Sequence, residues 1–360
     1  MGPPATTGAL TSGAIMSAEI DQQPEVLGRL GTEQGPEIRR IRAELERRGH
    51  RFVLLAARGT SDHAALYAKY LIEVHQAMPT GLISPSTSTI YGARPDLNGV
   101  LHIAVSQSGG SPDLVDSLRA ARESGATTVA VTNNVSSDLA RAAEFVVDVA
   151  AGPEHAIAAT KSYIAQLLAL YLLLGPERSV SAAEADSKRL ADAASATLQG
   201  LDAVTAAAGR YRFANRLVTT ARGYSYATAR EAALKLMETS YLGAQAFSGA
   251  DLLHGPMAMI DGDTPVIAIA TPGHGGSAMT PVLRTLSERR ADLVLVGASE
   301  QAIQAAPGAT VLPVWTDQVP EELHPVLEIL PLQQLAFGLA LARGVDPDAP
   351  RGLRKVTETW

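Results

Sequence analysis

Short apolar runs separated by longer amphipathic stretches set the rhythm of this chain. Runs at Phe52 to Ala57, Leu101 to Val105, Thr128 to Val131 and Phe145 to Val149 alternate with helical patterns, which predicts a parallel sheet with crossover helices. A polar, Ala-rich helical stretch from Ala182 to Leu201 interrupts the alternation. It then resumes with runs at Leu217 to Thr220, Val266 to Ala270, Leu293 to Val296 and Val311 to Val314. The repeat is visible in residues too: Ala57-Arg58-Gly59-Thr60-Ser61 follows the first run, and Ala221-Arg222-Gly223-Tyr224-Ser225 follows its counterpart about 164 positions later. The expected fold is therefore α/β, with two doubly wound parallel-sheet domains of three αβα layers in tandem. The expected boundaries are a disordered tail at 1–15, a first domain at 16–181, a linker helix at 182–201, a second domain at 202–345 and a C-terminal tail at 346–360.

Composition narrows the possible functions. A chain of 360 residues with 46% apolar content fills a core in each of two domains. A net charge of −7 leaves no basic surplus, so nucleic acid is not an expected partner. No apolar run approaches the roughly 18 residues that span a bilayer without a charge or breaker, so membrane insertion is not expected either. Cysteine is absent, which removes disulfides, thiolate metal sites and thiol nucleophiles from the available chemistry. The first 15 residues carry neither a basic region nor an apolar core of secretory length. They read as a tail, with Met16 an alternative start, and a cytoplasmic location is expected.

Doubly wound sheets place ligands at the carboxyl ends of their strands. After the run Leu101 to Val105 comes Ser106-Gln107-Ser108-Gly109-Gly110-Ser111-Pro112-Asp113, followed by a predicted helix from Leu114 to Glu123. Unpaired N–H groups at a helix start favour an anion, hydroxyls hydrogen-bond its oxygens, and glycine lets the backbone approach. The segment therefore fits a phosphate site without a Walker lysine. It equally fits a Ser-rich loop in which Ser111 simply caps the helix. Thr60 and Ser61, at the first strand end, offer further hydroxyls.

A second group of candidates lies in Arg230-Glu231-Ala232-Ala233-Leu234-Lys235-Leu236-Met237-Glu238, which reads as helix. At about 100° per residue, Glu231, Lys235 and Glu238 fall on one face. That face is either a solvated Glu-to-Lys pair or a catalytic group. His254 sits in Leu253-His254-Gly255-Pro256, where Gly-Pro presents the imidazole from a loop. Glu154 and Lys161 flank Ala158-Ala159-Thr160 at another helix start, and Arg351 to Thr357 forms a basic tail.

Ser-Gln-Ser-Gly after a strand resembles the phosphate loop of sugar-isomerase (SIS) domains, and the chain resembles the isomerase half of glucosamine-6-phosphate synthases. The likeness runs from Ala18-Glu19-Ile20 and Gln23-Pro24 through Gly152-Pro153-Glu154, Ala159-Thr160-Lys161 and the stretch 231–256 to Asp346-Pro347-Asp348 and Val356, about 340 residues in order. The resemblance implies a fold of two SIS domains and no metal or redox cofactor. It implies that Ser61, Ser106, Gln107, Ser108 and Ser111 bind a sugar phosphate, with Thr60, Glu154 and Ala158 as further substrate contacts. Glu238 would move a proton between C1 and C2, with Glu231 and Lys235 orienting the substrate and tuning that base. His254 would open the sugar ring from the neighbouring subunit of a homodimer. Lys355, in a tail that closes the site, would form a Schiff base or stabilise an oxyanion.

The likeness has gaps. The synthases carry a glutaminase domain with a terminal cysteine, which this sequence does not show, so amidotransferase chemistry is not expected. The family's glutamate after Ser-Gln-Ser-Gly is Gly110 here, and a lysine beside its pocket His is Leu253. The resulting expectation is an aminosugar-6-phosphate isomerase/deaminase, converting glucosamine 6-phosphate to fructose 6-phosphate and ammonia. Two alternatives stand beside it. One is a lyase or dehydratase that eliminates water from N-acetylglucosamine 6-phosphate after C2 deprotonation, and the other is a non-catalytic sugar-phosphate sensor.

Overall fold

The computed structural model of the protein describes residues 12–177 and 179–355. Among the described residues ten strands form two sheets. The first contains β1 (Phe52–Ala57), β2 (Thr80–Leu82), β3 (Val100–Ser106), β4 (Thr127–Thr132) and β5 (Phe145–Asp148) in the order 2-1-3-4-5. The second contains β6 (Arg216–Ala221), β7 (Gly243–Ser248), β8 (Pro265–Ile269), β9 (Asp292–Val296) and β10 (Thr310–Leu312) in the order 7-6-8-9-10. Every pairing is parallel, and the order is the same in both halves, as duplication requires. The apolar runs read from sequence are eight of these strands. The other two, β2 and β7, are short or glycine-bearing edge strands whose small and polar residues give no apolar signal.

Two helices at the centre are apolar all round. Every residue of Lys161–Leu174 is buried, and most of His324–Ala342 is too, so each packs on more than one side. The helical stretch 321–342 is long and apolar enough to cross a bilayer, but 78% of its apolar window is buried inside the fold, which makes it a core helix. One continuous cluster of buried side chains includes Leu55 and Val105 of the first sheet, Ile267 and Val296 of the second, and the central helices. The two halves therefore share a core.

The boundaries differ from expectation at two places. Residues 1–11 lie outside the described residues, but 12–15 belong to the fold. Gly13 N donates to Asp346 Oδ1 at 3.0 Å, and Ile15 N and Met16 N donate to the two oxygens of Asp348 at 2.8 and 2.9 Å. These carboxylates satisfy N–H groups at the cap and first turn of the Ala14–Asp21 helix, so this helix start is fixed by the segment around Asp346 and Asp348. The stretch expected as a linker is the helix Val180–Leu198, which lies along Gln23–Glu33 as an outer layer of the first half. The chain turns at Gln199-Gly200, before the Leu201–Tyr211 helix.

Those two outer helices cross closely because glycine faces serine. A Cβ built on Gly31 would lie 2.0 Å from Ser187 Oγ and 2.5 Å from Ser187 Cβ. Gly31→Ala is expected to lower stability by about 1–3 kcal/mol in urea denaturation, because the helices must part or Ser187 must rotate. Adding Ser187→Gly should recover part of the loss, since the two substitutions act on one contact.

Candidate functional site

The sheet order 2-1-3-4-5 reverses direction between β1 and β3, and ligands bind at such a switch point, outside the carboxyl ends of the strands. The residues following these two strands line a cleft of about 330 Å³. Thr60 and Ser61 come from the start of the Thr60–His75 helix, and Ser106, Gln107, Ser108 and Ser111 from the loop before Pro112–Glu123. That loop is shaped by its own hydroxyls. Ser106 Oγ accepts from Gly109 N at 3.1 Å, and Ser108 Oγ accepts from Gly110 N at 3.3 Å. Gly109 has a φ of +63°, and a Cβ there would lie 2.1 Å from Ser137 Oγ, so the turn requires glycine. Ser111 occupies the cap position of the helix but makes no side-chain cap bond. It is one of the residues that line the cleft.

The opposite wall comes from the second half. The Ser225–Ser240 helix runs antiparallel to Thr60–His75, so its last turn meets the first turn of its partner, and Glu238 enters the cleft there. The helix thus begins at the carboxyl end of β6 and delivers Glu238 to the first sheet. Thirteen residues separate Ser225 from Glu238, about 20 Å along the axis, and the far end of the helix reaches across to the first sheet.

Beneath Glu238 lies a buried charge network. Glu231 and Lys235 have no exposed side-chain surface and do not line the cleft. Lys235 Nζ donates to Glu238 Oε2 at 2.5 Å and to Thr60 Oγ1 at 3.0 Å, and lies 3.3 Å from Glu231 Oε1. Thr60 Oγ1 donates in turn to Glu231 Oε1 at 3.0 Å. His63 Nδ1 is 2.7 Å from Glu231 Oε2. Burial alone disfavours the Lys235 charge, but the Glu231 and Glu238 carboxylates outweigh it and hold the ammonium above the ordinary lysine range.

Lys355 closes the cleft from the C-terminal segment, beside Leu353 and Arg354. Its Nζ donates to Glu154 Oε2 at 2.8 Å and to Ala156 O at 2.6 Å. The loop that receives it is fixed by Glu19, whose carboxylate accepts from His155 N at 2.5 Å and from Ala156 N at 3.2 Å. Glu154 also accepts from Thr160 N and Ser162 N, each at 3.0 Å, and from Ser162 Oγ at 2.7 Å.

The expected site residues thus divide. Ser61, Thr60, Ser106, Gln107, Ser108, Ser111, Glu238 and Lys355 share one cleft, and Glu231 with Lys235 supports it from below. The expected sugar contact at Glu154 is corrected, since its oxygens cap a helix and hold Lys355. Ala158 is fully buried, and Ile157 and Ala159 face the cleft in its place. His254 is exposed at the end of the short Gly249–Leu253 helix and does not line the cleft of its own chain.

Three contributors escaped sequence reading. Arg58 and Arg354 line the cleft, and Arg58 is held by Asp113 at 2.7 Å. His63 is buried against Glu231. Arg58 was visible in the repeated Ala-Arg-Gly motif, where it served as a mark of duplication rather than as a ligand; nothing local in the sequence marks His63.

The repeat-equivalent position in the second half is filled from within. Glu321 accepts from His274 N at 2.9 Å and Gly275 N at 2.8 Å, in the loop after β8 that corresponds to the serine loop after β3. An internal carboxylate thus satisfies the N–H groups of this loop.

A family model described as the SIS domain matches residues 48–175 and 211–307. A glutamine–fructose-6-phosphate aminotransferase from Gloeobacter violaceus is 34% identical over 357 residues, 95% of this chain and 58% of the relative. The chain thus spans little more than half the length of that relative. Among solved structures, a candidate phosphosugar isomerase from Silicibacter pomeroyi is 31% identical with a TM-score of 0.81, covering 92% of this chain and 99% of the other. A glucosamine-6-phosphate deaminase from Thermotoga maritima shares the fold at 20% identity and a TM-score of 0.75, covering 96% and 99% of the two chains.

Glu154 allows a test of the tail contact. Burial would raise its pKa, but the Lys355 charge and the hydrogen bonds to its oxygens bring it below the ordinary 4.5. A carboxylate depressed in the folded state contributes stability that is complete above pH 4.5 and lost as pH falls through the lowered value. The Glu154 carboxyl carbon, followed by NMR against pH, should show a midpoint below 4.5 in the parent protein and above it in Lys355→Met.

Proposed function

The chain belongs to the SIS-domain family, and on that premise we propose that it is an aminosugar-6-phosphate isomerase/deaminase that converts glucosamine 6-phosphate and water to fructose 6-phosphate and ammonia. The observation that carries this reading is the placement of Glu238. Its carboxylate projects into the same cleft as the serine loop, on top of a buried lysine that fixes its orientation.

In this reading the serine loop and the N-termini of the Thr60–His75 and Pro112–Glu123 helices take the phosphate, with Arg58 and Arg354 supplying positive charge. Once the ring is open, Glu238 takes the proton from C2 and returns it to C1, leaving an imine at C2 that water hydrolyses. Lys355 serves as a donor to the substrate oxygen at C1. An ammonium already bound to Glu154 and Ala156 O keeps one of its three N–H groups for substrate and is a poor nucleophile, so oxyanion stabilisation is favoured over a Schiff base. Glu231, Lys235, Thr60 and His63 act by positioning. Ring opening falls to His254 from the partner in a homodimer, consistent with its exposure and its absence from its own cleft. The enzyme would work in the cytoplasm on a metabolite pool.

Two outcomes follow. Replacing Ser106 and Ser108 together by Ala should raise KM for glucosamine 6-phosphate strongly while leaving the fold intact. Calorimetry should show weak binding of glucosamine itself, and equal affinity for the phosphorylated and unphosphorylated sugars would refute the phosphate assignment. Glu238→Gln should slow the reaction by about 10²- to 10⁴-fold with little change in substrate binding. In deuterated water the parent protein should incorporate deuterium at C1 of the product, and exchange at the parental rate in Glu238→Gln would remove Glu238 as the base. NMR of the products identifies the reaction: fructose 6-phosphate with ammonia supports deamination, and loss of water from the N-acetyl sugar assigns a lyase instead.

A further inference from the structure

On one face of the first sheet, under the Pro112–Glu123 helix, lies a cavity of about 180 Å³. Leu54 of β1 and His102 of β3 are register partners and face it together. Ser117, Ala120, Ala121 and Ser124 form the helix wall, and Ile83 and Leu97 close it from the segment between β2 and β3. His102 is the third residue of β3 and Ser106 the last, about 13 Å further along the strand. No residue lines both this cavity and the sugar-phosphate cleft.

His102 is 1% exposed, and among the described residues neither of its ring nitrogens has a hydrogen-bond partner. Burial pushes its pKa down to about 4, so at neutral pH the ring is uncharged, with one nitrogen donating and the other accepting. Buried polar groups in folded proteins almost always find partners, and a histidine lacking two is an exception with a cause. Among the described residues no charged side chain lines the cavity, so a charged guest would lose its hydration without compensation. An apolar cavity of about 150 Å³ holds a benzene ring, so this one accommodates a single ring with a polar substituent.

We propose that this cavity is a second ligand site, taking an uncharged molecule of single-ring size that offers His102 a hydrogen-bond donor or acceptor. Such a ligand is chemically unlike a sugar phosphate, and the site stands whether or not the sugar-phosphate reading does.

Phenol is the probe, with phenyl phosphate as the charged counterpart, and the readout is the ring ¹⁵N shift of His102 in histidine-labelled protein. Phenol should move the His102 resonances saturably and phenyl phosphate should not. His102→Leu removes the polar partner, and Ala121→Leu fills the space from the helix side while leaving His102 in place. Each should weaken phenol binding in calorimetry by about tenfold or more. If His102→Leu does not fold, Ala121→Leu still decides the matter. An unchanged His102 spectrum at millimolar phenol, or undiminished binding by Ala121→Leu, overturns the proposal.

Discussion

A lysine with no surface exposed to water stays charged only where carboxylates meet it, and the arrangement of this molecule follows from meeting that requirement at Lys235. Glu231 and Glu238 come from the same helix, but Thr60 and His63, which complete the network, come from the other half of the chain. The two sheets therefore cannot slide relative to one another without leaving a buried charge unpaired, and breaking such a pair typically costs about 3–5 kcal/mol. The shared apolar core drives the halves together, and the ionic network selects the register in which they dock. Because Glu238 belongs to that network, fixing the register also fixes the distance between the carboxylate and the serine loop.

Duplication supplies two equivalent switch points, and the chain keeps only one of them open. Ser61 accepts from Gln166 of the Lys161–Leu174 helix at 3.0 Å; in the second half Ser225 donates to Glu328 of the His324–Ala342 helix at 2.8 Å. The scaffold is preserved, but the chemistry is inverted. Glu328 is fully buried, which pushes its pKa up to about 7 even though it accepts hydrogen bonds from Thr271 and Ser225. Glu321 meets the N–H groups of His274 and Gly275. An anionic ligand would there meet one or two carboxylates instead of hydroxyls and arginines. On the proposed reading the asymmetry explains why, among the described residues, the first half and not the second offers its switch point to an anion.

The sequence made legible what repeats along the chain and what lies within one local segment. Apolar runs located eight strands because parallel strands buried by helices on both sides need continuous hydrophobic character. The serine loop was legible because its residues are consecutive, and the one-face grouping of Glu231, Lys235 and Glu238 because helical geometry fixes it. Hidden from such reading were contacts between distant segments, such as His63 with Glu231, 168 positions apart, and Lys355 with Glu154, 201 apart. Glu154 shows the limit most clearly. A carboxylate at a helix start suits a ligand contact and a cap equally, and only the arrival of Lys355 and Ser162 decides between them.

The division of labour between the halves bears on how the chemistry of such a cleft changes. On the proposed reading anchoring belongs to the first sheet and proton transfer to a helix of the second, so one can be altered while the other stays intact. The two departures from the family pattern fit that scheme. Gly110 is exposed at the rim of the serine loop, and its N–H supports Ser108; Leu253 is exposed beside His254, outside the cleft of its own chain. Neither touches the buried network that holds Glu238. On the proposed reading both alter the charges around the sugar and leave Glu238 in place, and the groups around C1 to C3 decide whether an aminosugar loses ammonia, loses water or only isomerises.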